Sequence, residues 1–115
     1  MRYAAILLIV LASCSSSERI PPADIIPRDS FVALLTDVQL LEAVSKQKMI
    51  RTDNPGPRIA RYYKKTFEKF EVSEEQFLAS FKWYYEDPED MISIYEEVLN
   101  ELVNRQSERN QQPKN

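Results

Sequence analysis

The stretch Val72-Ser73-Glu74-Glu75-Gln76-Phe77-Leu78-Ala79-Ser80-Phe81-Lys82-Trp83-Tyr84-Tyr85-Glu86-Asp87-Pro88-Glu89-Asp90 contains two helix starts within 19 residues. Ser73 and Gln76 form a capping box, in which the hydroxyl takes the amide three residues on and the glutamine reaches back; Val72 and Phe77 are placed to close a hydrophobic staple. Asp87-Pro88 reads as an N-cap followed by proline at the first helical position. Glu89 and Asp90 then put acids where the helix dipole favours them. Helices are therefore predicted over about 74–86 and 88–106, with Phe77, Phe81 and Tyr84 on the inner face of the first.

Working outward, Met91, Ile94, Tyr95, Val98 and Leu102 share one face of the last helix, and Ile92, Leu99 and Val103 widen it. So broad an apolar face predicts a central position for that helix. Upstream, Ile59, Tyr62, Tyr63, Phe67 and Phe70 form the stripe of a helix over 58–71. Asp53-Asn54-Pro55-Gly56-Pro57 is a break. Before it, Phe31, Leu34, Leu35, Val38, Leu41 and Met49 recur at a helical period, predicting a helix over 29–49 capped by Asp29 or Ser30, with Pro27 just outside. No segment alternates as a strand would. The fold class is all-α: a compact bundle of about four helices over 28–106. Joints of one or two residues favour steep crossings. Residues 107–115 are polar and read as a disordered tail.

The N-terminus reads as a targeting segment. Behind Met1 and Arg2, Ala4 to Leu11 is an unbroken apolar run of eight residues. A spanning helix needs about 20, so the run has the layout of a secretory h-region. It ends in Leu11-Ala12-Ser13-Cys14, which resembles the lipobox of bacterial lipoproteins. The resemblance implies a signal peptide over 1–13, cleavage before Cys14 and acylation of its thiol. By the sorting rule of Gram-negative bacteria, Ser15 after that cysteine points to the outer membrane. The competing reading, an ordinary thiol beside a buried helix, would require the run to be covered on all sides. Residues 14–27 contain Ser15, Ser16, Ser17, Pro21, Pro22 and Pro27 and read as a lipidated spacer between membrane and domain.

Composition excludes whole classes of chemistry. The 115 residues include no His, one Cys and one Gly. A conventional zinc site, a disulfide framework and a Ser-His or Cys-His catalytic pair are all ruled out within the chain. A single glycine also rules out Gly-rich phosphate loops. No metal, cofactor or catalytic residue is expected, and a non-enzymatic role is favoured over a carboxylate-dependent hydrolase.

Four features are candidate contacts. Glu42 interrupts the apolar stripe of the first helix. A buried carboxylate must be paired, so it reads as a structural partner of Arg58, Arg61 or the hydroxyl of Tyr62 or Tyr63; the functional alternative is a ligand contact. Asp37 flanks the same stripe but lies five residues away, too far along the helix for a stacked carboxylate pair. Residues 46–69 hold eight basic residues against two acidic ones, whereas 71–108 hold eleven acids against Lys82 and Arg105. The basic end can face anionic headgroups or an acidic partner, or it can be a solvated face complementing the acidic helices. Trp83 lies off the inner face of its helix. It is either an exposed partner anchor or packed on the first helix or the spacer. Nucleic acid does not suit an exported, acidic chain.

Two blocks carry a wider resemblance. The first is Ile26-Pro27-Arg28-Asp29-Ser30-Phe31 with Leu35-Thr36-Asp37 and Glu42-Ala43. The second is Tyr62-Tyr63, Phe67, Phe70, Val72-Ser73, Phe77, Ser80, Tyr84-Tyr85, Pro88 and Ile94-Tyr95. Over roughly 22–103 the chain resembles the small lipoproteins of the Bacteroidetes grouped as a domain of unknown function. That resemblance implies a helical domain facing the periplasm, with no assigned activity. The expected role is therefore a lipid-anchored envelope protein that binds a protein partner or supports an assembly; the alternative is a lipid- or glycan-binding module.

Overall fold

Ser73 and Asp87 begin their helices as their side chains dictate. Ser73 Oγ accepts from the Gln76 amide at 3.0 Å, and Asp87 Oδ1 accepts from the Asp90 amide at 3.3 Å. A computed structural model describes residues 19–49 and 56–113. Among them lie four helices and no strand: α1 (Arg28–Met49), α2 (Gly56–Lys69), α3 (Glu74–Tyr85) and α4 (Pro88–Gln111). None of these helices is long and apolar enough to cross a membrane. Cys14 and the break at 53–55 lie outside the described residues.

α1 starts one residue earlier than expected, and the Pro27 carbonyl accepts the first helical bond, from Phe31 at 2.8 Å. Asp29 therefore sits in the first turn, where its charge suits the dipole, and neither Asp29 nor Ser30 is the cap. α4 continues to Gln111, so residues 107–111 of the expected tail are helical. They contain no glycine or proline, and Glu108, Arg109 and Gln111 are good helix formers.

The joint between α2 and α3 is built on a Schellman motif. The Val72 amide donates to the Phe67 carbonyl at 3.1 Å, and the Glu71 amide donates to Glu68 at 3.1 Å. Glu71 takes the left-handed conformation, φ 55°, at the position where glycine is usual.

α1 packs against α2 and α4, and α4 against α1 and α3, so the two share the middle of the bundle. Phe31, Leu34, Leu35 and Val38 of α1 meet Tyr84 of α3 and Met91, Ile94 and Val98 of α4 in the core. Phe31 sits among aromatic rings, with centroids 4.6 Å from Tyr84, 6.1 Å from Phe77 and 6.4 Å from Phe81. The expected central position of the last helix holds in that α4 packs on two helices, but the expected breadth of its buried face does not. α1 and α3 approach α4 on the Met91–Ile94–Val98 side, and Ile92, Leu99 and Val103 are each about 60% exposed.

The leading segment is the other departure. Residues 14–27 read as a spacer, yet Ile26 is 2% exposed and belongs to the core. Its amide donates to Ser80 Oγ at 2.8 Å, and its carbonyl accepts from the Tyr84 hydroxyl at 2.6 Å. Both backbone polar groups of this buried residue are thus satisfied by α3, as burial demands.

Candidate functional site

A cleft of about 680 Å³ lies between α1, α2 and the start of α3. Tyr63 and Phe67 enter it because they occupy the inner face of α2, the face that turns toward α1. Val38 supplies the α1 wall; Val72 and Phe77 follow from the Schellman joint and the Ser73 cap, which aim that stretch of chain back over α2. The ring of Phe67 lies 5.4 Å from Phe77 and 6.5 Å from Tyr63. The wall is mainly aromatic and aliphatic, and Glu42, Lys64, Glu68 and Glu74 contribute its charged groups.

Glu42 is half-buried on the α1 side of the cleft. The expected ion pair is not formed: among the described residues no salt bridge joins it to Arg58 or Arg61, both of which are exposed. The helical phase explains this, because Arg58 and Arg61 occupy the outer face of α2 while Tyr63 turns inward. Of the four candidates on α2, Tyr63 is the one that shares the cleft with Glu42. Burial, and then the charge of Glu42, push the Tyr63 hydroxyl above its ordinary pKa. It therefore stays protonated at neutral pH, a donor among the mainly apolar groups of the cleft. Tyr62 is 43% exposed on the outer side of the helix.

The outer face of α2 is basic. Arg58, Arg61 and Lys65 recur at helical spacing, all exposed, and Lys64 links them to the cleft. Within the described residues the only α2 cation in an ion pair is Lys69, 2.8 Å from Asp37. The acidic helices thus do not neutralise this face.

Sequence reasoning passed over the polar groups that fasten the domain. Asp37 accepts from Lys69 and from Arg105 Nη1, each at 2.8 Å, joining α1, α2 and α4. Burial acts to raise its carboxyl, but the bonds from Lys69 and Arg105 outweigh it and hold the pKa below the ordinary value. Arg28 reaches Asp90 at 3.1 Å, Ser93 at 3.0 Å and Glu97 at 2.7 Å, fixing the start of α1 to α4. The only advance signal for Asp37 was its place beside the apolar stripe.

Trp83 is half-buried. The Arg19 guanidinium lies 4.0 Å from the centre of its ring and pairs with Glu86 at 3.3 Å. Of the alternatives for this side chain, packing on the leading segment is the one observed.

Residues 22–108 match the family model described as Domain of unknown function (DUF4296). No curated protein and no solved structure matches the chain.

Proposed function

Because the chain belongs to the family described as Domain of unknown function (DUF4296), a description that assigns no activity, we propose its role from the site alone. The protein is a non-enzymatic lipoprotein of the bacterial cell envelope. It is anchored through acylated Cys14 to the outer membrane, faces the periplasm, and docks a protein partner at the cleft. The observation that carries this reading is the apolar cleft beside the unneutralised Arg58–Arg61–Lys65 face. Such a surface suits an amphipathic segment with apolar side chains inward and acids along one edge. As a member of the Bacteroidetes lipoprotein group, the chain would act as an adaptor or assembly support.

A photo-crosslinking residue at Lys64 in intact cells tests this reading, with one at Asn104 of α4 as control. A protein adduct specific to Lys64, lost in Arg61→Glu/Lys65→Glu, is expected. Equal adducts at both positions, or none, would overturn it. The cleft volume also suits a small apolar ligand, which supports the lipid-binding alternative. Native mass spectrometry that finds a lipid retained by the purified protein would favour that second reading.

A further inference from the structure

Residue 19 is where the leading segment is already fastened. Arg19 covers Trp83 and pairs with Glu86, and seven residues later Ile26 is locked to Ser80 and Tyr84. Only five residue steps, with four residues between, join Arg19 to Cys14. At about 3.3–3.6 Å per residue they reach at most roughly 18 Å. If the lipid is on Cys14, Arg19 and the corner between α3 and α4 stay within roughly 18 Å of the lipidated residue.

That corner also carries the right groups for an interface. Ile20 is 86% exposed and Tyr85 67% exposed, each adjacent in sequence to a partner in the Arg19–Glu86 bond. Half-buried Trp83 lies under Arg19. Aromatic side chains with one polar end favour the headgroup zone. Glu86, Asp87, Glu89 and Asp90 follow Tyr85 closely in sequence, so the corner suits a zwitterionic bilayer better than an anionic one.

The basic face is elsewhere. α1 has 22 residues, about 33 Å at 1.5 Å per residue. The Lys69–Asp37 bond places the end of α2 beside the first half of α1, so α2 runs back along it. Arg58 and Arg61 accordingly lie toward the end of α1 remote from Arg19.

We infer that the Arg19–Ile20–Trp83–Tyr85 corner rests on the surface of the zwitterionic bilayer that holds the anchor, turning the basic face of α2 away from the membrane. This orientation rests on the proposed acylation of Cys14. It disfavours the expectation that the basic end meets anionic headgroups, and it leaves that face open to a partner in the periplasm.

The test uses full-length protein made in cells that process lipoproteins and reconstituted into phosphatidylcholine vesicles. Cys14 is the only natural cysteine, so once it is acylated an introduced Tyr85→Cys or Arg61→Cys is the single free thiol. Each is labelled with a polarity-sensitive fluorophore, and headgroup-attached nitroxide lipid is the quencher. Interfacial residues sit within about 5–10 Å of the headgroup boundary, so quenching about threefold stronger at position 85 than at 61 is expected. Adding Arg19→Ala should bring the two close together. If the protein is acylated and floats with vesicles but both positions quench equally, the orientation is wrong and the anchor stands. If mass spectrometry of the same sample finds Cys14 unmodified, the anchor fails and the orientation with it.

Discussion

The Tyr84 hydroxyl donates to the Ile26 carbonyl at 2.6 Å, across 58 residues of sequence, inside the core. Ser80 Oγ holds the amide of the same residue at 2.8 Å. Tyr84→Phe strands a buried carbonyl, and Ser80→Ala strands a buried amide. Each should lower stability by roughly 1–3 kcal/mol in urea unfolding. Because both substitutions release the backbone of one residue, the double variant should lose less than the sum. Strict additivity would show that Ile26 is not held as a unit.

Glu71 should improve on replacement. Its φ of 55° costs a residue with a Cβ about 1 kcal/mol, and glycine is free of that cost. Glu71→Gly is expected to raise the urea midpoint. A fall would mean that the flexibility glycine adds to the unfolded chain outweighs the strain relieved.

Ser73 caps α3 through the Gln76 amide. Ser73→Ala should cost about 1 kcal/mol and Ser73→Asp almost nothing, since aspartate is an equally good cap. Equal losses from both substitutions would point to a role other than capping.

Asp37 gives the fold a dependence on pH. A carboxyl with a lowered folded-state pKa stabilises the fold above its unfolded value, near 4, and that contribution fades as pH falls through the lower folded value. Asp37→Asn should cost roughly 1–3 kcal/mol at neutral pH. The gap from wild type should narrow progressively below about pH 4. A gap independent of pH would assign the loss to packing rather than to charge.

Glu42 should matter little to stability. Glu42→Gln is expected to change the unfolding free energy by no more than about 0.5 kcal/mol, as for an ordinary half-exposed site. It should lower the Tyr63 hydroxyl pKa, because it removes one of the two influences that raise it. Nuclear magnetic resonance titration of the Tyr63 ring reads this directly.

The helices were legible because local chemistry specifies them. Ser73, Asp87-Pro88 and the apolar stripes depend on neighbours within a turn or two, and the predicted spans of α1 and α3 fall within a residue or so of the observed ones. How much of the apolar face of α4 is covered was not legible. An apolar face twice the usual width looks the same in sequence whether both halves are covered or one is left open, as on α4. Ile26 was missed for a related reason: a dipeptide such as Ile25-Ile26 among prolines has no periodicity, and its partners Ser80 and Tyr84 are more than fifty residues away. The cleft could not be read at all. Tyr63, Phe67 and Phe77 looked like core, and in the structure these contacting rings form one wall of an open cleft.

The docked leading segment also governs when the domain can close. A chain that crosses a membrane N-terminus first delivers Ile26 and Arg28 early. Their partners Ser80, Tyr84, Asp90 and Glu97 arrive 54 to 69 residues later. Asp37 must wait 68 residues for Arg105. Local helices can form during transit, but the contacts that unite them are long-range, and such contacts slow the final step. The domain is therefore committed late, and a chain stopped within α3 would have helices without Asp90, Glu97 and Arg105 to unite them.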